Sequence, residues 1–382
     1  MLISSSVFLI FVYLTKNLYL VFFLKMEGSY IFRIQKTISS RLFKIYISQK
    51  HYNYFKANTS KLMSNITTDC NIFTTSVQNF LLLTAEISVA IGILTLLFLF
   101  EPIMVIFNII IVISGMFFFN LITKKKIAVI SSARKKYVDF SFLTLNDSFS
   151  SIKEINIFGK NEFFENIFDK NNYEIFRVNK SFHVIQGLPK VFYELIGLIA
   201  LVLLIIMMAL TFEDYANMLS FLAISGAAAF RLIPSANRIL KAVQYVKFAE
   251  KSINIINEEL KYESNKKETL NKKFIYNKEI KIKDVTFKYP DTKNYIIKNI
   301  NIKYSEPDKI LIYGATGTGK STFIELLLGL LKPTSGNVQV EGSDVHENFY
   351  TWSKNLGYVP QRIVLIDGTI KSNIAFGIEN NK

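Results

Sequence analysis

Cysteine is nearly absent. Cys70 is the single one in 382 residues, which excludes an internal disulfide and any cysteine-built metal cluster. Histidine is almost as scarce, and His51, His183 and His346 are too scattered in sequence to read as a zinc site. Acidic residues are outnumbered: 30 Asp and Glu face 45 Lys and Arg, a formal net charge of +15. Such an excess suits nucleic acid or a membrane surface. Here the positive residues cluster beside apolar runs, so the charge is assigned to membrane orientation and no nucleic-acid partner is expected. No basic segment precedes the first apolar run, which argues against a signal peptide.

What the chain has in abundance is apolar bulk. Half of it is hydrophobic, with 34 Phe, and this length holds one to three domains. The apolar residues gather before about residue 240, and the last third has the composition of a soluble domain. A membrane span takes about 20 mostly apolar residues, because a helix rises about 1.5 Å per residue across a core of about 30 Å. Five stretches qualify: 2–24, weakened by Lys16 and Asn17, then 80–100, 103–122, 191–212 and 216–236.

The loops give the direction. Lys25, Arg33, Lys36, Arg41, Lys44, Lys50, Lys56 and Lys61 lie between the first two spans, with Glu27 and Asp69 as the acids. Lys124, Lys125, Lys126, Arg134, Lys135 and Lys136 follow the third span. The short turns carry Glu101, Glu213 and Asp214. Basic loops stay in the cytoplasm, so the long loops are inside and the short turns outside. The first span then runs inward with Met1 outside, and the odd span count leads us to expect a further span upstream. The long inner loops read as helices: Leu42, Ile45, Tyr46 and Tyr52–Phe55 recur at helical spacing, and Phe142, Leu145, Phe149, Ile152 and Ile155 form a stripe. Such stripes fit helices packing on one another, or spans extended into the cytoplasm to meet another domain.

Residues 257–279 shift to a polar linker composition. Ile280, Ile282, Val285 and Phe287 then alternate as a strand ending near Tyr289-Pro290, and Ile300–Tyr304 reads as another. Lys309–Tyr313 reads as a short buried strand. It leads into Gly314-Ala315-Thr316-Gly317-Thr318-Gly319-Lys320-Ser321-Thr322, a full match to G-x-x-x-x-G-K-[ST], followed by a helical pattern from Phe323 to Leu328. The glycines let backbone N–H groups turn towards phosphate oxygens without Cβ clashes, and the helix start adds its positive dipole end. In this motif Lys320 meets the β and γ phosphates of a nucleotide and Ser321 ligates Mg²⁺.

A phosphate loop alone does not choose among ATPases, GTPases and kinases. Tyr289 precedes it, Gly329-Leu330-Leu331-Lys332-Pro333-Thr334-Ser335-Gly336 follows its helix, then Gly357-Tyr358-Val359-Pro360-Gln361, Asp367-Gly368-Thr369-Ile370 and Asn373-Ile374-Ala375-Phe376-Gly377. This order resembles the ATP-binding domain of ABC transporters, and the preceding spans and long loops resemble the exporter subclass. The resemblance implies an α-helical transmembrane domain with long cytoplasmic helix extensions over 1–256, a linker over 257–279, and a partial α/β P-loop nucleotide-binding domain over 280–382. It implies that Tyr289 stacks on adenine and that Gln361 reaches Mg²⁺ and the attacking water. It also implies coupling helices near Asn58–Asp69 and Leu145–Ile157. ATP and Mg²⁺ are the implied cofactors, and the implied partners are a second copy of the half-transporter and the bilayer of a bacterial inner membrane, with the ATP-binding domain cytoplasmic.

The chain departs from the family pattern after the Q-loop region: a signature sequence, a catalytic glutamate and a switch histidine are missing before Lys382. The expectation is therefore no catalytic residue within these 382 and no useful hydrolysis by them alone. Arg231, at the inner end of the last span, is the one substrate candidate, and snorkelling to the interface is the competing account. Its surroundings, Phe230–Ile239, together with Lys153–Phe164, look like exporters that flip lipid-linked oligosaccharides. Export of a peptide, lipid or drug-like molecule stays open, as does a truncated membrane protein that only binds nucleotide.

Overall fold

In the hydrocarbon region of a membrane, backbone polar groups must be satisfied within their own segment, so apolar runs are driven to helix. Among the described residues the five apolar stretches fall within long helices: α1 (Leu2–Ser48), α2 (Thr59–Phe98), α3 (Pro102–Ser150), α5 (Asn161–Thr211) and α6 (Tyr215–Ser264), with the short α4 (Ile152–Ile157) between α3 and α5. The computed structural model describes residues 2–48, 58–99, 102–211, 215–264, 279–289, 292–305, 309–361 and 363–378. Tyr52–Phe55 and the turn residues Glu101, Glu213 and Asp214 lie outside them. Among the described residues, α1, α2 and α5 are long and apolar enough to cross a membrane. The apolar side chains of Val7 to Leu24 on α1 are exposed, as a lipid-facing surface requires.

The chain divides into two compact units, one made of α1–α6 and the other beginning at the first strand. In the helical unit, α2 packs mainly on α6, and α3 on α5 and α6. The helical stripe read around Leu42 is a packing surface: Leu42, Ile45 and Tyr46 are buried against Ile256 of α6. Farther along, Ile127, Phe182, Ile185 and Phe248 form a second cluster, in which the Phe182 and Phe248 rings stack at 3.9 Å. The second stripe is only partly covered. Phe142, Leu145 and Phe149 line a groove of about 360 Å³ with Met63, while Ile155 on α4 is buried. The segment Asn58–Asp69 leads into α2: Thr59–Ser64 is its first helical stretch and Asn65–Asp69 a π-turn within it. Asn58 caps it by accepting from the Ser60 N–H at 3.0 Å. The helical form also extends past residue 257, into the expected linker, as far as Ser264. The reason is packing: Leu260 joins the cluster around Leu42.

In the second unit, β1 (Ile280–Phe287), β2 (Ile297–Tyr304), β3 (Ser335–Val340) and β4 (Ser343–Asp344) form an antiparallel sheet of order β2-β1-β3-β4. Ile282 pairs with Ile302 on one side and Val338 on the other. A register shift follows between Ile282 and Val285, where Asp284 takes a φ of 48° and the Asp284 and Asn301 side chains bond at 2.8 Å. Opposite the bulge stands Gly336, whose Cβ would meet the carbonyl oxygens of Lys283 and Asp284 at 2.3 Å, so no side chain fits there. Ile282, Val285, Phe287, Ile297, Val338 and Val340 bury one face against Leu326, Leu331, Val345 and Trp352. Three short helices complete the unit: α7 (Lys320–Leu327), α8 (Phe349–Ser353) and α9 (Ile370–Ile374).

Lys309–Tyr313 is not a buried strand, contrary to its sequence pattern. It is irregular, with Leu311 81 % and Tyr313 86 % exposed. A buried strand needs hydrogen-bonded neighbours on its edges, and among the described residues no strand pairs with this segment.

Candidate functional site

The phosphate-loop motif forms the turn that its residues call for. Gly317 and Gly319 take φ of 85° and 90°, in the left-handed region that glycine adopts without strain. Gly319 is also the N-cap of α7, and the Phe323 N–H donates to its carbonyl at 2.8 Å. A Cβ on Gly319 would come within 2.7 Å of Ile296 Cγ2, so this position needs glycine both for its backbone and for its closeness to the start of β2. Lys320 bends back over the loop: its ammonium donates to the carbonyls of Gly314 and Ala315 at 2.8 and 2.7 Å. Ala315 accepts again from the Thr318 hydroxyl at 2.9 Å. Ala315, Thr316 and Ser321 stay exposed, whereas Thr322 turns into the core.

The structure brings Tyr289 to this loop. Its hydroxyl and that of Thr322 share a hydrogen bond of 3.2 Å, and its ring meets the edge of Phe287 at 5.1 Å. Gln361 is exposed, and no hydrogen bond joins it to residues 314–322 among the described residues. The motif around it closes on itself instead. Asn373 accepts from the Ile366 N–H at 2.9 Å and donates to the carbonyls of Ile366 and Thr369 at 3.0 Å, while Thr369 caps α9. Trp352 ties α8 to the end of α7 by donating its indole N–H to Leu327 O at 3.2 Å. The residues of the loop fit a nucleotide phosphate: a glycine-rich turn, the start of α7 and one ammonium. The hydroxyl of Ser321 and the amide oxygen of Gln361 are the hard donors that Mg²⁺ prefers.

In the helical unit two charged clusters matter that the sequence reading did not single out. The first centres on Lys135 of α3. Its ammonium donates to Asp69 Oδ2 at 2.5 Å, Asn65 Oδ1 at 3.0 Å and Ser64 Oγ at 3.3 Å, and pairs with Asp139 at 2.7 Å. Asp69 Oδ1 accepts from Ser252 of α6 at 2.6 Å, and Asn65 donates to the Tyr46 hydroxyl of α1 at 3.0 Å. Residues Asn65–Asp69 form a π-turn inside α2, which brings Asn65 and Asp69 together on the one cation. Burial pulls the neighbouring Arg134 guanidinium below its usual pKa range, and the Asp69 charge opposes that shift. Burial also raises the Glu259 carboxyl, which lies near Tyr46.

The second cluster joins Glu86 of α2 to Ser235 and Arg238 of α6. Glu86 accepts from Ser235 Oγ at 2.6 Å and from Arg238 Nε and Nη2 at 2.6 and 3.1 Å. A lone acid within the apolar run 80–98 was the available sequence signal. Arg231 stands exposed on the same helix, four residues before Ser235.

Comparison with known proteins gives these features a family. The ABC transporter transmembrane region matches residues 2–227, and the ABC transporter family model matches residues 297–381. ABC transporter B family member 1 of Dictyostelium discoideum is 26% identical over 362 residues, 89% of this chain and 38% of the relative. The uncharacterized ABC transporter ATP-binding protein YfiB of Bacillus subtilis is 37% identical over 102 residues, 26% of this chain and 18% of the relative. The mitochondrial ATP-dependent permease MDL2 of Saccharomyces cerevisiae is 38% identical over 101 residues, 26% of this chain and 13% of the relative. The chain thus spans less than two fifths of the length of these relatives. The solved structure of a bacterial Atm1-family ABC exporter with ATP bound shares the fold, with a TM-score of 0.79 at 16% identity over 96% of this chain and 65% of that one. The match to the ATP-binding family implies ATP binding. With the transmembrane-region match alone covering more than half of its residues, the chain belongs to the ABC transporters, as an exporter-type helical transmembrane domain fused to an ATP-binding segment.

Proposed function

We propose that this chain is one half of an ATP-driven exporter that flips an amphipathic, lipid-linked substrate, best matched by a lipid-linked oligosaccharide, out of the cytoplasmic leaflet of a bacterial inner membrane. The observation that carries the reading is the phosphate loop, with Lys320 above Gly314 and Ala315 and Tyr289 bonded to Thr322, on the same chain as the transmembrane helices. We assign the transmembrane domain to the helical unit, ending with α6 at Ser264, and the ATP-binding segment to 280–382.

In this reading Gly314, Ala315, Thr316, Gly317, Thr318, Gly319, Lys320, Ser321 and Thr322 hold the phosphates. Lys320 exchanges its two backbone acceptors for phosphate oxygens, a charge-assisted gain. Tyr289 positions the adenine, and its bond to Thr322 fixes the ring relative to the loop. Ser321 and Gln361 hold Mg²⁺, which when bound neutralises phosphate charge. ATP supplies the free energy, and the helical unit alternates between inward- and outward-facing states as a dimer with a second copy. Arg231 meets the anionic pyrophosphate headgroup at the cytoplasmic mouth.

The test is a flipping assay in proteoliposomes on the complete half-transporter. With Lys320→Ala we expect ATP-dependent flipping to fall at least about a hundredfold, the order seen when one electrostatic contact to a transferring group is removed. A rate equal to that of the parent sinks the ATP-driven reading.

A further inference from the structure

Buried polar groups in a folded chain are nearly always hydrogen-bonded. Where α5 packs on α6, two are not. Gln244 of α6 is 1% exposed, and neither end of its carboxamide has a partner among the described residues. Tyr193 of α5 is 2% exposed, and its hydroxyl is unmet in the same way. A third group follows from covalent chemistry. Pro189 is buried inside α5 and carries no N–H, so the carbonyl of Ile185, four residues back, loses its helical donor.

The packing brings these groups to one level. The rings of Phe182 and Phe248 stack at 3.9 Å, and a Cβ on Gly197 would come within 2.5 Å of Ile233 Cδ1. These two contacts fix an antiparallel register of α5 on α6, which sets Gln244 beside the turn from Ile185 to Pro189. Gln244 shares the stripe of α6 that carries Ile233, Leu240 and Phe248, and these three pack with residues of α5. Long side chains on a helix lean towards its N-terminus. On antiparallel helices Gln244 and Tyr193 therefore lean towards each other, Gln244 towards Leu240 and Tyr193 towards Pro189. Leu240 and Tyr193 indeed belong to one buried cluster. The carboxamide has an acceptor oxygen for the Tyr193 hydroxyl and N–H donors for the Ile185 carbonyl.

We propose that Pro189 is a two-state hinge in α5 and that Gln244 is the residue that holds its bent form. A helix bends at an internal proline and opens on the proline's own side, here the buried side that faces α6. The bend turns the Ile185 carbonyl out towards α6. The Gln244 amide then donates to that carbonyl, and its oxygen accepts from the Tyr193 hydroxyl. In the packing described here both bonds are unmade, so each state carries a cost that the other lacks: unmet polar groups in one, a bent helix in the other. Gln244 positions a helix, and the inference does not depend on which substrate the chain carries.

The test is the distance between nitroxides at Leu96→Cys on α2 and Leu198→Cys on α5, both exposed positions. It is measured on the complete half-transporter in nanodiscs, with native cysteines, Cys70 included, replaced by Ser. Without nucleotide and with ATP and Mg²⁺, the parent is expected to show two distances, one of them that of the present packing. Tyr193→Phe is expected to reduce the other population about fivefold, the effect of losing one ordinary hydrogen bond. Gln244→Leu removes both bonds and reduces it further, and Tyr193→Phe added to it changes nothing more. Pro189→Ala returns a helical donor to Ile185 and also favours the present packing. A side chain that only fills space shifts the melting temperature and leaves the ratio of the two distances where it was. A single distance in the parent under both conditions overturns the hinge. A ratio unmoved by Tyr193→Phe and by Gln244→Leu overturns the role of Gln244, and Tyr193→Phe, which loses one oxygen, decides it where the Leu variant does not fold. Additive effects in the double variant overturn the bond between the two side chains.

Discussion

The helical unit contains two buried charge clusters, around Lys135 and around Glu86, and they differ in how completely their charges are met. Lys135 is 7% exposed and has Asp69, Asp139, Asn65 and Ser64 around its ammonium, with Ser252 and Tyr46 extending the network to α6 and α1. Four helices meet there, and the single ammonium faces two carboxylates, so every polar neighbour is drawn onto one buried cation. At Glu86 the network reaches two helices, and Arg238 is open on one side. The same chemistry, an acid and a base in a helical interior, is a fastener when every group is met from several sides. It is a looser tie when fewer helices meet it and one side of its cation stays open. The sharper the geometric closure, the more a substitution is read in folding and the less in binding.

The largest effect is expected where closure is tightest. Lys135→Met leaves Asp69 buried without its cation, a change that costs about 3–5 kcal/mol; loss of monodisperse protein after extraction, or a collapse of the melting temperature, reads it out. Adding Asp69→Leu is expected to restore most of that loss, because apolar replacement of a whole buried pair is often neutral. A melting temperature that stays at the parent value in the single variant erases the contrast between the clusters.

Ser252→Ala comes next. It removes one hydrogen bond to a charged acceptor, worth about 1.5–3 kcal/mol, and a thermal melt of purified protein is sufficient to see it. Glu86→Gln is expected to cost less, about 1 kcal/mol, since the amide oxygen still accepts from Ser235 or Arg238. A stability loss as large as that of Lys135→Met, measured in the same melt, makes Glu86 a fastener too.

The smallest effect concerns pH. Burial raises the Glu259 carboxyl above its ordinary range; Lys61, Lys135 and a bond to Tyr46 pull it down, and the Glu258 charge pushes it up. A folded-state pKa above the unfolded one means that the protonated form is the stabilising one. Its contribution is complete below the ordinary carboxylate range and is lost as pH rises through the raised value. Glu259→Gln is therefore expected to raise the melting temperature more at about pH 7.5 than at about pH 5. An equal gain at both pH values shows that the carboxyl does not titrate in this window.

Much of the fold was legible because its signals are local. The phosphate loop is nine consecutive residues whose glycines and lysine carry their own geometry, and it appears at Gly314–Thr322 with α7 starting at Lys320. The alternation from Ile280 to Phe287 was legible for the same reason, since a strand with one buried face must repeat every second residue. Lys309–Tyr313 misled because a short apolar run states that burial is wanted and not what supplies it. The linker misled because Leu260 looks isolated among polar residues until α1 is laid beside it. Gln361 was readable as a motif member, yet its distance from the phosphate loop along the chain left its neighbours unspecified.

Local patterns of residues were enough to specify the long apolar helices and the glycine-rich turn at 314–322, because a lipid core demands unbroken apolar length and that turn is built from adjacent residues. Which charges meet which, and how completely each is enclosed, came from the packing of distant helices. Asp69 meets Lys135, and Glu86 meets Arg238, across long stretches of intervening chain. The cost of a buried charge is set by what surrounds it in space, and no local pattern of residues encodes a partner that folding brings from another helix.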